Sequence, residues 1–202
     1  MGFRDLVQPN IISLCSTNGI NRYAVNSLIA MTSMYAMSLF RWQVSILSWL
    51  HVGSGVAAYF LILLVIRTKI LNGLKQIYFS YLLACILSFF GFVTLMLPKL
   101  LNIVDLPSQT VYLTANLLFS SWIYFNTQSS GKILLFKTVG SENSCFIDGV
   151  RSAFGAGMRI LAYSTGYLFY ANPVYFVLPI GMIHFVCIYV LLWRHKVYLR
   201  RT

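Results

Sequence analysis

The chain of 202 residues is 58% hydrophobic and only 9% charged, with a mean hydropathy of +0.75 and a formal net charge of +11. Soluble domains carry about 25% charged residues, so an ordinary water-soluble core is excluded, and a bilayer takes the place of water around helices whose outer faces are apolar. The basic excess does not mark a nucleic-acid binder: the cations sit in short gaps between apolar stretches, where topogenic charge and attraction to anionic headgroups account for them.

Six apolar stretches follow one another. Residues 1–19 include Asp5 and Pro9 and show no cleavable-signal pattern, and Gly2 lacks the Ser or Thr that myristoylation requires. This segment is read as a cytoplasmic amino terminus, residues 20–193 as the membrane domain and 194–202 as a basic tail. A helix of about 20 apolar residues matches the hydrocarbon thickness of a bilayer. Span one is predicted over 20–40, with Arg41 and Trp42 as a tight turn, and span two over 43–66. A basic gap, Arg67 to Lys75, precedes span three over 76–97, which Pro98 and Lys99 end. Span four is predicted over 111–131, then a polar gap from Lys132 to Asp148, then span five over 149–170. Ala171-Asn172-Pro173 is a turn whose proline opens span six, 173–193. Cys15, Cys85, Cys145 and Cys187 lack metal-binding spacing and are read as free thiols; no Asn-x-Ser/Thr sequon occurs.

Alternate gaps are basic. Arg4, Arg22, Arg67, Lys69, Lys75, Lys132, Lys137, Arg151, Arg194, Lys196, Arg200 and Arg201 fall on one side, which makes twelve against Arg41 and Lys99 on the other. Cations are retained in the cytoplasm, so both termini are expected there, as an even number of spans also requires.

The polar residues within the spans are patterned. Asn116, Ser120, Tyr124, Thr127 and Gln128 recur at helical spacing on span four. Two readings fit them: hydrogen bonds to neighbouring helices, or the wall of an aqueous cavity. On span five Ser152, Gly155, Arg159, Ala162, Tyr163 and Gly166 fall together, and Arg159 lies near mid-membrane, where insertion costs about 2.5–3.5 kcal/mol. Arg159 therefore points into the bundle, either to pair with polar groups or to bind and gate. The acids Asp5, Asp105, Glu142 and Asp148 all stand in gaps. Clustered acid, His or Ser–Lys groups at membrane depth are absent, so an intramembrane enzyme is not expected, nor is a cofactor. His51 and His184 are read as helix-to-helix hydrogen bonders or titrating groups. Spans two and five each hold a Gly-x-Gly, Gly53 to Gly55 and Gly155 to Gly157, a faint sign of a 3+3 repeat.

The layout resembles the carboxyl-terminal half of a major facilitator superfamily transporter. Six spans with cytoplasmic ends carry the resemblance, as does the basic gap with Arg67, Gly73 and Lys75. The third element is the stretch Ser130-Gly-Lys-Ile-Leu134, Phe146 through Gly149, Ser152 to Gly155 and Arg159-Ile-Leu. This stretch and the Trp42 turn are similar to the lysosomal, ceroid-lipofuscinosis facilitator-like branch. Ala162 and Tyr163 depart from it, standing where that branch tends to carry Gly-Pro. The resemblance implies an all-α six-helix half-bundle moving a small solute by alternating access. It puts spans one, two, four and five around a cavity, with spans three and six outside. Asn26 and Ser33 then join the span-four stripe and Arg159 as cavity residues, and Arg159 favours an anionic group on the substrate. The superfamily uses two halves, so the chain is either a piece of a longer transporter or assembles with a second half or a copy of itself. The branch points to lysosomal or endosomal membranes. No acidic dileucine signal accompanies it, and Arg200-Arg201 fits the endoplasmic reticulum; the plasma membrane stays open. The competing reading is a non-transporting half that docks on a partner.

Overall fold

The computed structural model describes residues 8–67, 73–139 and 143–194. These are helical almost throughout, and no strand occurs among them. Six long helices follow in order: α1 Pro9–Met34, α2 Val44–Arg67, α3 Leu74–Val93, α4 Leu106–Val139, α5 Ser144–Ala171 and α6 Pro173–Trp193. By length and composition, three helices are apolar enough to cross a membrane, over Val44–Leu64, Leu74–Leu100 and Pro173–Trp193. The other three are as long but carry more polar side chains.

The helix ends have local causes. Pro9 opens α1, where a missing N–H is harmless. A π turn over Tyr35–Leu39 ends it, and Arg41, at φ 58°, reverses the chain. The Trp42 backbone N–H then reaches the Ala36 carbonyl (2.8 Å), and its indole N–H the Gln109 side chain (3.2 Å). Pro98 does not end span three. A 3-10 turn over Thr94–Met96 precedes it, and helix resumes over Leu97–Leu100. Pro98 cannot donate to the preceding turn. Asp105 caps α4, its carboxylate accepting the Ser108 N–H (2.9 Å). Hydrogen bonds from the Ser108 hydroxyl and then from its N–H hold the carboxyl below the usual range. At the end of α5, the Lys99 ammonium donates to the carbonyls of Tyr170 and Ala171, where a cation suits the negative pole of the helix.

Several boundaries differ from the sequence reading. Helix α1 begins at Pro9, not Ile20, and Ile11, Leu14, Thr17 and Asn18 are buried. Residues 9–19 are therefore part of the bundle and not a free amino-terminal segment. A polar side chain in this stretch bonds internally: Thr17 donates to the Ser13 carbonyl at 2.7 Å. Likewise α4 runs on to Val139 and α5 starts at Ser144, so most of the expected 132–148 gap is helix.

Packing also differs. Helix α1 is the hub, packed most extensively on α5 and α4 and also on α3 and α6. Helix α3 was expected outside, yet it buries Tyr78, Tyr81, Leu82, Cys85, Ser88 and Phe92. Helix α2, expected to line a cavity, is the peripheral one. It rests chiefly on α4 and leaves Trp49, Phe60 and Leu64 exposed. Helix α6 buries one stripe, Val177, Gly181, His184, Ile188 and Leu191, and exposes the opposite face. The reason is that lipid is as apolar as a helix interface, so uniform apolarity does not tell the two apart.

The two Gly-x-Gly pairs are not equivalent in their surroundings. Gly53, Gly55 and Gly157 have open space where a Cβ would be, whereas a Cβ on Gly155 would meet the Arg22 side chain. The tightest helix approach is elsewhere: a Cβ on Gly19 would stand 2.1 Å from the Phe154 ring. Gly19→Ala is expected to destabilise the fold by about 1–3 kcal/mol through overpacking of α1 on α5. Gly53→Ala is expected to stabilise it by about 0.5–1 kcal/mol through helix propensity. Thermal unfolding of the purified variants in detergent checks both signs.

Candidate functional site: a cationic contact between α1, α4 and α5

Three helices each bring polar groups spaced by four residues. Helix α1 brings Asn18, Arg22 and Asn26, α4 brings Tyr124 and Gln128, and α5 brings Arg151, Gly155 and Arg159. Side chains four apart share a face, so the three rows meet along one seam. Gln128 is its centre. Its carbonyl oxygen accepts from the Arg22 and Arg151 guanidiniums, the latter at 3.3 Å, and its amide donates to Asn18 Oδ1 at 3.3 Å. Arg151 also donates to Asn18 Oδ1 (3.2 Å). One turn along α4, the Tyr124 hydroxyl accepts from Arg159 Nη2 at 2.7 Å, and the guanidinium carbon lies 5.8 Å from the Tyr124 ring centroid. The Arg22 backbone carbonyl accepts from Asn26 (2.6 Å).

The seam is rich in cations and poor in acids. Asp148 receives Arg151 through Nε (2.8 Å) and Nη2 (2.7 Å), and Lys132 through Nζ (3.2 Å). Burial raises the Asp148 pKa, but the hydrogen bonds and charges of Arg151 and Lys132 outweigh it and leave the carboxyl below its ordinary value. Arg22 and Arg159, by contrast, have only neutral oxygens as partners, and Nε of each is buried without one. Arg22 also lies within electrostatic range of Arg151 and Arg159, and of Tyr124 and Asp148. It stands about 20 Å along α1, and Arg159 about 22 Å along α5, at a rise of 1.5 Å per residue.

The residues singled out from the sequence divide accordingly. Arg159, Tyr124 and Gln128 are in the seam. Asn26 borders it through the Arg22 backbone. Asn116 instead faces α3, accepting from Thr94 Oγ1 at 2.8 Å and donating to the Tyr112 carbonyl at 3.0 Å. Ser120 and Thr127 turn back on carbonyls of their own helix. Ser33 bonds His51 Nε2 at 3.2 Å and joins α1 to α2. At the basic gap Arg67 ends α2, Gly73 caps α3, and Lys75 lies in the first turn of α3; residues 68–72 between them lie outside the described residues.

Sequence reading missed Asn18, Arg22 and Arg151 as members of the site. Arg22 and Arg151 were assigned to cytoplasmic gaps, yet both lie well inside helices, and Arg151 is 4% exposed. The fourfold spacings of Asn18 with Arg22 and of Arg151 with Gly155 and Arg159 were the available signal.

On its other side α1 carries a neutral contact. His184 Nε2 meets Asn21 Oδ1 at 2.8 Å, and Asn21 Nδ2 meets Cys85 Sγ at 2.9 Å. No group of His, Cys, Asp or Glu among the described residues has the arrangement of a metal site. Two apolar grooves, between α3 and α6 around Phe89 and Gly181 and between α2 and α4 around Trp49 and Leu118, lie apart from the arginines. Comparison of the chain with protein-family models, curated proteins and solved structures gives no match.

Asp148→Asn leaves Arg151 and Lys132 without their carboxylate and is expected to destabilise the fold by about 1–3 kcal/mol, between the ranges for an exposed and a buried pair because Arg151 is buried, Asp148 part-buried and Lys132 exposed. Because the folded-state pKa of Asp148 is lowered, its contribution is complete above the ordinary aspartate value and disappears as pH falls through the folded one. Thermal midpoints of wild type and D148N should therefore converge on acidification.

Proposed function

We propose that the chain is a six-span membrane protein, half of a facilitator-type bundle, that moves a small solute across the bilayer by alternating access. The observation that carries this reading is the cationic seam of α1, α4 and α5 at mid-helix depth. Ionisable groups at such depth are expensive, and they mark solute or ion pathways. Length supports six crossings: α1, α4 and α5 have 26, 34 and 28 residues, and each exceeds the roughly 30 Å of hydrocarbon at 1.5 Å per residue. The charge bias survives the correction to Arg22 and Arg151. With those two removed from the twelve, ten cations face two, which favours cytoplasmic termini. The half works against a second half or a second copy, and the sequence resemblance favours a lysosomal or endosomal membrane.

Access to the seam tests this. In a variant with Cys15, Cys85, Cys145 and Cys187 replaced, a cysteine at position 124 should react with a membrane-impermeant maleimide from either face of sealed vesicles. A cysteine at Ile160, 70% exposed on the outer face of α5, should stay unlabelled in lipid. A half that merely docks on a partner would leave position 124 closed to both sides, and that result overturns the transport reading.

A further inference from the structure

We infer that Arg22 and Arg159 together form a site for an oxyanion, the carboxylate or phosphate group of a small solute, with Tyr124 as a third, neutral contact. This deepens the transport reading and rests on it for the bound group being cargo. The argument begins with charge. Among the described residues, the seam holds Arg22, Arg151, Arg159 and Lys132 against the single carboxylate of Asp148. That carboxylate is committed, because both its oxygens are engaged by Arg151 and Lys132. Arg22 and Arg159 are thus left as two part-buried cations whose hydrogen-bond acceptors are neutral oxygens, within electrostatic range of each other, with the already engaged Asp148 carboxylate also in range of Arg22.

Donor geometry points the same way. A guanidinium presents five N–H donors in a planar fork, and its favoured partner is the pair of oxygens on a carboxylate or phosphate. Arg22 donates to Gln128 through Nη2 and Arg159 to Tyr124 through Nη2, while Nε of each is buried and unpartnered. The Nε edge is one side of the fork that grips an oxyanion. Tyr124 and Gln128, the anchors of the two guanidiniums, stand four residues apart on α4, about 6 Å along its axis, so the two forks are presented from one helix face.

Gly155 supplies an independent mark. A Cβ there would lie 2.5 Å from Arg22 Cδ and 2.6 Å from its Nε. The absence of a side chain on α5 is what lets the Arg22 guanidinium lie across that helix. Gly157, two residues on, has nothing within 4 Å of such a Cβ, so close helix packing does not explain both glycines.

Full-length protein in an uncharged detergent, at constant ionic strength, provides the test. Inorganic phosphate or succinate at millimolar concentration should raise the thermal midpoint by several degrees over chloride. The rise should vanish in R22Q and in R159Q, fall in G155A, and persist in K137A, whose side chain lies exposed outside the seam. Wild type alone gives a second readout: phosphate should slow phenylglyoxal modification of Arg22 and Arg159 at least several-fold, read by mass spectrometry. A parallel series in nanodiscs with and without phosphatidylglycerol separates the sources. Stabilisation by the anionic lipid but not by soluble anions assigns the same oxyanion chemistry to a headgroup and overturns the solute assignment. No anion-dependent shift and no protection, or a shift unchanged in R22Q and R159Q, overturns the site. Anion binding with position 124 closed from both sides would defeat transport while leaving the site standing. Accessible position 124 with no anion response would do the reverse.

Discussion

A guanidinium cannot be left alone inside an apolar bundle, and much of this architecture follows from that requirement. Arg22, Arg151 and Arg159 come from two helices, and a third helix supplies the oxygens that receive them. Gln128 serves two arginines at once, which fixes the rotation of α4 relative to both α1 and α5. Asp148 secures the most buried of the three, Arg151, with Lys132 sharing the carboxylate. The expense of burial falls as each donor finds an oxygen, so these contacts select one register of the three helices where apolar packing alone would tolerate several.

That selection explains what the sequence disclosed and what it concealed. Span six starts and ends where hydropathy places it, and span two is displaced by one residue, because both are bounded by turns with strong local chemistry, Arg41-Trp42 and Asn172-Pro173. Span one was placed eleven residues late. Asn18, Asn21 and Arg22 look like an interface to a hydropathy window, which assumes that a polar side chain faces water. Here they face other polar side chains. The peripheral position of α2 and the central one of α3 were beyond reach for a different reason: their surroundings, lipid or protein, are equally apolar, so nothing in their composition distinguishes them.

The polar stripe on α4 shows the same limit at the level of single residues. Asn116, Ser120, Tyr124, Thr127 and Gln128 were legible as one face, yet only Tyr124 and Gln128 reach the arginines. Serine and threonine can return their hydroxyl to a carbonyl three or four residues back, and Ser120 and Thr127 do so. A short hydroxyl side chain thus carries little information about its partner, while the long reach of Tyr and Gln makes them the members that bridge helices.

Helix α1 is loaded differently on its two sides, and this constrains how the bundle could move. Toward α4 and α5 it presents charge; toward α3 and α6 it presents Asn21, bonded to both His184 and Cys85. Side-chain bonds of either kind must break before α1 slides against its neighbours, so these helices favour motion as a single body. Helix α2 is the exception. It rests chiefly on α4, bonds α1 through Ser33 and His51, and leaves its glycines without close neighbours. Few buried contacts mean a low free energy of local displacement, so α2 is the element freest to shift while the arginine seam keeps its geometry.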